Sequence, residues 1–286
     1  MGGEHYLGDF LGGKTMKIRK IVLLVSIVSS LCNGQGQKAL VIGASSGIGR
    51  EVAKVLAIQG YDVGLASRRL ERLNEVQNDI KMLSPNSSTW VKQLDVTHDN
   101  AITDFENFIN EMGGLDLIVI SITSFPDTRG KSSQEVDQKC IDVELLGFWK
   151  MAHCALEYFK KQGTGHVVGI SSVDALRGNP YCPMYSAAKA FVSRYLEGMR
   201  NQLHQEKLDT IYITDVLPGY VQTEGFDASS MPGAYWISTA HDAALQIVDA
   251  INAKQKQVFI SHRWWLIGWL MNHLPDWLYF DVIGGL

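Results

Sequence analysis

Apolar and polar residues follow two alternating patterns along the chain from Lys38 onward. Short apolar runs, which suit strands buried on both faces of a parallel sheet, occur at 38–42, 62–67, 89–96, 115–121, 165–171, 210–219 and 257–261. Between these runs, apolar residues recur every three or four positions, which predicts helices at about 48–60, 70–83, 102–112, 133–161, 183–206 and 240–254.

This alternation predicts the fold class. Strands that alternate with helices of ten or more residues form right-handed βαβ units, whose helices cover both faces of one sheet. We therefore expect an α/β fold, a doubly wound parallel sheet of the Rossmann type, in a single domain over 37–261. A Trp-rich tail at 262–286 follows it.

The segment 1–36 is expected to lie outside this domain. Lys17, Arg19 and Lys20 precede an apolar run at 21–31, and small or polar residues follow it, a pattern typical of a secretory signal. The run is short for a membrane span. An upstream extension without a targeting role is the alternative, so an exported or anchored protein and a cytoplasmic one both stay open.

Charge and cysteine content exclude several classes of protein. The net charge is −4 and no basic stripe stands out, which argues against a nucleic-acid partner. The four cysteines are scattered and form no CxxC pair. We therefore expect neither a metal site nor a disulfide framework.

A glycine-rich turn follows the first strand. The stretch GASSGIG has the spacing GxxxGxG, and glycines allow positive φ and a close approach of backbone N–H groups to an anion. A plain tight turn is the alternative, but a strand before it and a helix after it favour a dinucleotide diphosphate. The predicted cofactor contacts are Gly43, Ser45, Ser46, Gly47, Ile48 and Gly49.

The end of the second strand bears on the choice of cofactor. NAD-binding folds often place an acidic residue there, and here Ser67 stands in that place, before Arg68 and Arg69. Because arginine binds phosphate through two hydrogen bonds, a 2′-phosphate is favoured, with Arg68 as its ligand. We therefore expect NADP(H) rather than NAD(H). A solvated basic start to the second helix is the alternative.

Two polar residues on the fifth predicted helix indicate catalysis. Tyr185 and Lys189 lie four residues apart, on one helical face at the ligand edge of the sheet. Ser172 ends the fifth strand, thirteen residues before Tyr185. Two unrelated surface residues are the alternative for the YxxxK pair alone.

With these motifs in order, the chain resembles the short-chain dehydrogenase/reductase family over about 38–261. The resemblance implies hydride transfer between a nicotinamide and a carbonyl or alcohol. It implies that Tyr185 is the general acid, that Lys189 lowers the pKa of Tyr185, and that Ser172 orients the substrate. It also implies cofactor contacts at Asp95, Val96, Ser121, Tyr185, Lys189, Pro218, Gly219, Val221 and Thr223.

The chain departs from the family pattern in two places. The stretch ISIT at 120–123 stands where the family has NNAG, and Glu144 stands where the family often has an asparagine. Glu144 either hydrogen-bonds near Lys189 and holds that lysine charged, or turns outward with no role. We favour an active reductase with a modified proton relay. A nucleotide-binding scaffold or sensor with little turnover is the alternative.

The loop at 220–236 and the tail suggest the partners. Phe226, Met231, Tyr235 and Trp236 favour a small apolar carbonyl or alcohol substrate. The tail holds four of the seven tryptophans. We expect it to pack on the core or on a second copy in a homo-oligomer, with peripheral membrane contact as the alternative. A cytoplasmic location is favoured because NADPH is mainly an intracellular reductant.

Overall fold

The computed structural model describes residues 36–124, 133–230 and 236–282. Its main sheet has seven strands, all parallel, in the order β3-β2-β1-β4-β5-β6-β9. This order confirms the predicted doubly wound α/β fold. The strands are β1 (Lys38–Ile42), β2 (Asp62–Ser67), β3 (Thr89–Gln93), β4 (Leu117–Ile120), β5 (Gly165–Ile170), β6 (Ile211–Pro218) and β9 (Gln257–Ile260), and a separate small pair is β7 (Val221–Gln222) with β8 (Ser238–Thr239).

Helices connect the strands, as the periodicity predicts. They are α1 (Gly47–Ile58), α2 (Leu70–Leu83), α3 (Ala101–Met112), α4 (Gln134–Cys140), α5 (Phe148–Gln162), α6 (Pro183–Gln205), α7 (Ala240–Asn252), α8 (Trp264–His273) and α9 (Asp276–Val282). Within the described ranges, no helix is long and apolar enough to cross a bilayer. The apolar run at 21–31 lies outside the described residues.

Alternate residues of each strand supply two cores, one on each face of the sheet. In β1, Ala39 and Val41 pack with the apolar faces of α1, α2 and α7, whereas Leu40 and Ile42 pack with those of α3, α5 and α6. All four residues are fully or almost fully buried. Covering both faces in this way leaves the strand ends as the place where ligands can reach the sheet.

The first two strands of the main sheet end where the apolar pattern predicts, and the other five end one to three residues earlier. The third strand was expected to reach residue 96, but β3 ends at Gln93, because Asp95 instead forms a side-chain turn. Its carboxylate accepts hydrogen bonds from the Thr97 amide (3.0 Å) and hydroxyl (2.7 Å). The chain therefore turns away from the sheet here and opens one end of a cleft.

The long helix predicted at 133–161 is helical throughout, but it changes type in its middle. Between α4 and α5, the segment Ile141–Gly147 is π-helical. Such segments insert an extra residue per turn and often occur at functional sites. The π-helical segment contains Glu144, and Gly147 lies so close to Val96 that an added Cβ would clash with that side chain.

Candidate active site

A cleft with a volume of about 760 Å³ lies at the carboxyl ends of the strands. Almost every residue that the sequence assigns to the site lines it. These are Gly43, Ser45, Ser46, Gly47, Ile48, Arg68, Asp95, Val96, Ser121, Ser172, Tyr185, Lys189, Pro218, Gly219, Val221 and Thr223. Gly49 is the exception, because it is buried behind the glycine-rich turn.

The glycines of this turn have different tasks. Gly43 has a φ of +87°, and an added Cβ would clash with the Ser121 carbonyl oxygen. Gly49 packs against the Gly43 carbonyl, so it lets α1 approach the turn instead of facing the cleft. Gly47 has a φ of +56° and faces Thr223 across the cleft. The result is a bare loop at the N-terminus of α1, where backbone N–H groups and the helix dipole favour an anion.

Arg69, rather than Arg68, reaches back over the glycine-rich turn. Its Nη2 donates to Ser45 Oγ (2.9 Å) and Ser46 Oγ (2.7 Å). Both arginines line the cleft, but the charge of Arg68 lies near Asp95. The sequence predicts the arginine pair, and the structure shows that Arg69 is the one that contacts the two serines. One guanidinium and two hydroxyls form a donor set that fits a phosphate group.

Asp95 forms the neighbouring part of the cleft wall. Its burial alone would raise the pKa of the carboxyl group, but the two hydrogen bonds from Thr97 and the charges of Arg68 and His98 outweigh burial. The net result is a pKa below the ordinary value. Asp95 is therefore an ionised hydrogen-bond acceptor at neutral pH.

The three predicted catalytic residues come together in the cleft. Ser172 caps a short 3-10 turn at 173–175, and its Oγ hydrogen-bonds with Tyr185. Tyr185 lies in the first turn of α6, which begins at Pro183. The Lys189 ammonium lies 5.5 Å from the centre of the Tyr185 ring. The YxxxK spacing thus brings phenol and ammonium onto one face, as the sequence predicts.

Lys189 is held by buried acceptors. Its Nζ donates to the carbonyl oxygens of Ile170 (3.2 Å) and Ile122 (3.4 Å). Its positive charge is paired with the carboxylate of Glu144, whose Oε2 lies 2.8 Å from the lysine Nζ. Glu144 therefore turns inward, and the alternative of an outward, idle side chain is wrong.

The divergent stretch at 120–123 supports this carboxylate. Glu144 Oε1 accepts hydrogen bonds from the Ser124 amide (2.9 Å) and from the hydroxyls of Thr123 and Ser124 (both 3.2 Å). Ser121 continues the pairing of β4 with β1 through its amide, which donates to the Ile42 carbonyl (2.8 Å). Hydroxyl and amide groups that follow β4 thus donate hydrogen bonds to the Glu144 carboxylate.

The environment of Tyr185 favours the protonated phenol. Burial raises its pKa well above the ordinary value, and the charges of Glu144 and Asp174 add to this effect. The hydrogen bond with Ser172 acts in the opposite direction. In the protein alone, the Tyr185 pKa is thus shifted upward, which is opposite to the lowering expected from Lys189.

The C-terminal segment forms the apolar side of the cleft. Trp264, Ile267 and Met271 of α8 and Tyr279 of α9 line it, together with the expected Phe226 and Trp236. Met231 and Tyr235 lie outside the described residues. The sequence marks the tail as aromatic, but it gives no signal for which of its residues face the cleft.

Asp174 is a cleft residue that the sequence analysis missed, since it belongs to no recognised motif. It lies two residues after Ser172, and its carboxylate accepts one long hydrogen bond, from Asn179 Nδ2 (3.5 Å). Burial raises its pKa to about 6. Among the described residues, no cluster of His, Cys, Asp or Glu could hold a metal, and Cys140, Cys154 and Cys182 are free thiols.

A Rossmann sheet with a glycine-rich turn and a Ser-Tyr-Lys cluster defines a nucleotide-dependent oxidoreductase. The family model for short chain dehydrogenase matches residues 37–231, and the chain belongs to this family of NAD(P)-dependent enzymes, which act on small molecules. An uncharacterized oxidoreductase of Mycobacterium tuberculosis is 32% identical over 191 residues, which cover 66% of this chain and 74% of the relative. Hydroxysteroid 11-beta-dehydrogenase 1-like protein A of Xenopus laevis is 26% identical and covers 85% of this chain, with 83% of its own length matched.

Solved structures have the same fold. A short-chain dehydrogenase from Sphingobium yanoikuyae, solved in complex with NADPH, has a TM-score of 0.67 at 21% identity, covering 84% of this chain and 97% of its own. YwfH, an NADPH-dependent reductase involved in bacilysin biosynthesis, has a TM-score of 0.68 at 20% identity. The match covers 80% of this chain and 98% of YwfH.

Proposed function

We propose that the protein is an NADPH-dependent reductase of small carbonyl compounds, with Tyr185 as its general acid. The observation that carries this proposal is the meeting of Ser172, Tyr185 and Lys189 in a cleft whose other end is the glycine-rich turn. NADPH bound in the same cleft would supply the hydride to the carbonyl carbon of the substrate.

The cofactor preference rests on the cluster of Arg69, Ser45 and Ser46. This cluster supplies a positive charge and hydroxyl groups at the end of β2, where a 2′-phosphate lies in folds of this kind. Arg68 adds a second positive charge at that end of the cleft. Asp95 and Val96 would contact the adenine, and Gly219, Val221 and Thr223 the nicotinamide side.

Residues of the chain itself would donate the proton to the substrate oxygen and then replace it. Ser172 would hydrogen-bond the carbonyl oxygen and orient it. Tyr185 keeps its proton at neutral pH and can therefore donate it to that oxygen as the alkoxide forms. Lys189 would then return a proton to the phenolate.

Glu144 would connect this relay to solvent. Its Oε2 contacts Lys189, and its Oε1 accepts from the hydroxyl of Thr123, which is exposed. A proton taken up through the Thr123 hydroxyl can pass to the carboxylate and on to the lysine. Glu144 is thus a positioning and relay residue that acts through Lys189.

The proposal is tested by measuring NADPH consumption across a panel of aldehydes and ketones. Tyr185→Phe is expected to lower kcat by about 100-fold or more, because the general acid is lost. Tyr158→Phe, which removes a hydroxyl outside the cleft, is expected to have no effect. NADPH binding without consumption of any panel member would instead support the nucleotide-binding scaffold or sensor.

Exposed indoles support the expectation of a homo-oligomer. Trp265, Trp269 and Trp277 are 60%, 50% and 68% exposed, next to helix residues that line the cleft. A second copy of the chain would cover them, and peripheral membrane contact is the alternative. Dependence on NADPH favours a cytoplasmic location.

A further inference from the structure

The cleft contains a carboxylate that the proposed mechanism does not use. Asp174 lies in the 3-10 turn after Ser172 and lines the cleft on its substrate side. Its charge is close enough to raise the pKa of Tyr185, Tyr220 and Tyr279, which come from three different parts of the chain. The carboxylate therefore lies near three of the tyrosines that line the cleft.

No cation of the described residues pairs with Asp174. Arg177, three residues later, is paired with Asp276 and also donates to the carbonyl oxygens of Met271 and Leu274. Lys189 is paired with Glu144. The long hydrogen bond from Asn179 is a weak substitute for a counter-ion.

Three aromatic side chains that line the cleft, Tyr220, Trp236 and Trp264, pack edge to face. Trp264 meets Trp236 edge to face, with ring centres 6.0 Å apart and an interplanar angle of 86°. It meets Tyr220 at 5.7 Å and 67°. Rings set at such angles form the walls of an aromatic corner, and aromatic faces attract ammonium groups.

We propose that Asp174 determines substrate specificity, and that the substrate is a carbonyl compound carrying an amine that is protonated or quaternary. This inference rests on the proposed function, since Ser172 and Tyr185 would hold the carbonyl oxygen. The ammonium group lies between the Asp174 carboxylate and the faces of Trp264, Trp236 and Tyr220.

The physical reason is the charge balance of the cleft. An unpaired carboxylate among apolar and aromatic side chains is unfavourable in the free protein. A neutral substrate would cover it and make the burial worse, whereas an ammonium group would pair with it in a site that excludes water. Binding of the cation therefore removes a penalty that the free protein carries.

The test uses pairs of substrates that have the same shape and different charge. Methyl ketones that carry a trimethylammonium group on one, two or three methylene groups are compared with isosteres that carry tert-butyl. For at least one chain length, kcat/KM of the cationic ketone is expected to exceed that of its isostere by roughly tenfold or more. Asp174→Asn is expected to remove this preference, so that kcat/KM of the cationic ketone and of its isostere become similar.

A binding measurement separates this inference from the reductase proposal. The alcohols that correspond to these ketones cannot react with NADPH, so their affinity for the wild-type protein with NADPH present is measured by calorimetry. The same preference for the cationic member, lost in Asp174→Asn, is expected. If no ketone is reduced but this preference is found, the reductase proposal fails and the cation site stands.

The control is Asp209→Asn, an exposed residue before β6 whose substitution makes the same change in net charge. It is expected to keep the preference. Equal kcat/KM and affinity for both members at every chain length would overturn the inference. A loss in Asp174→Asn of affinity for NADP+ but not for NADPH would also overturn it, because the carboxylate would then serve the charged nicotinamide.

Discussion

Glu144 and Lys189 form a buried ion pair beneath the tyrosine of the active site. Their charged atoms lie 2.8 Å apart, and their side chains are 0% and 3% exposed. The pair carries no net charge, so Tyr185 lies beside a dipole instead of an isolated ammonium. Burial raises the pKa of Tyr185, and the charge of Glu144 adds to this effect, so the phenol stays protonated in the free protein and is suited to donate a proton.

Replacing Glu144 by asparagine tests whether the pair is a working relay. Glu144→Asn leaves Lys189 charged, buried and without its anion, which is expected to lower stability by about 3–5 kcal/mol. Below the melting temperature of the variant, kcat is expected to fall by about tenfold, because the lysine returns protons more slowly. Thermal unfolding and the pH profile of kcat are the measurements.

A surface pair provides the control for this prediction. Glu206 lies 2.8 Å from Lys160 and is exposed, so Glu206→Asn is expected to change stability by less than about 1 kcal/mol. A sharp rise in turnover in Glu144→Asn would show that the native site is impaired and would contradict the relay.

The arginine pair predicts a difference between the two nicotinamide cofactors. Arg69→Asp is expected to weaken NADPH binding by at least about tenfold and to leave NADH binding nearly unchanged, because only NADPH has a 2′-phosphate. Arg68→Asp is expected to act in the same direction. Fluorescence titration with both cofactors gives the affinities. Equal losses for NADPH and NADH in both variants would refute the assignment to a 2′-phosphate.

Asp174 predicts a stability cost that depends on pH. Its pKa is about 6 in the folded protein against an ordinary value of 3.8 for an aspartate, so the folded state binds this proton more tightly. The carboxyl contributes no penalty below pH 3.8, stability is lost as pH rises from 3.8 through 6, and the penalty is constant at higher pH. The titratable groups that face it are Cys182, Tyr185, Tyr220 and Tyr279, which are all neutral in this range.

The isosteric variant Asp174→Asn lacks this penalty. At neutral pH it is expected to be more stable than the wild type by at most about 3 kcal/mol, from about two pKa units at about 1.4 kcal/mol each. The gain is expected to vanish near pH 4. Denaturant unfolding of both proteins at the two pH values measures it, and an equal difference at both would contradict the assignment.

The fold follows from sequence patterns that act locally, whereas parts of the site depend on the arrangement of distant segments. Apolar periodicity is sufficient for the strands and helices, and motif spacing places Tyr185 beside Lys189. Glu144 points inward from a π-helical segment, and no sequence motif predicts that segment. The side chain of Arg69, and not that of Arg68, points towards the two serines of the glycine-rich turn. Trp264 reaches the cleft through tertiary packing on Gly219.

The exposed indoles predict self-association. Replacing Trp265, Trp269 and Trp277 together by serine is expected to lower the sedimentation coefficient without loss of fold, since these side chains pack little on their own chain. Trp149→Ser, at a 41% exposed residue of α5, is the control and is expected to leave sedimentation unchanged. Unchanged sedimentation of the triple variant, with a loss of liposome binding, would favour the membrane instead.

The central claim is hydride transfer to a carbonyl carbon with Tyr185 as the proton donor. The direct measurement supplies NADPH in which both hydrogens at C4 of the nicotinamide are replaced by deuterium, and analyses the alcohol product by mass spectrometry. The account predicts one deuterium on the carbinol carbon with the wild-type protein, and almost none with Tyr185→Phe at equal cofactor occupancy. Product formed equally fast by Tyr185→Phe, or alcohol without deuterium on that carbon, would contradict it.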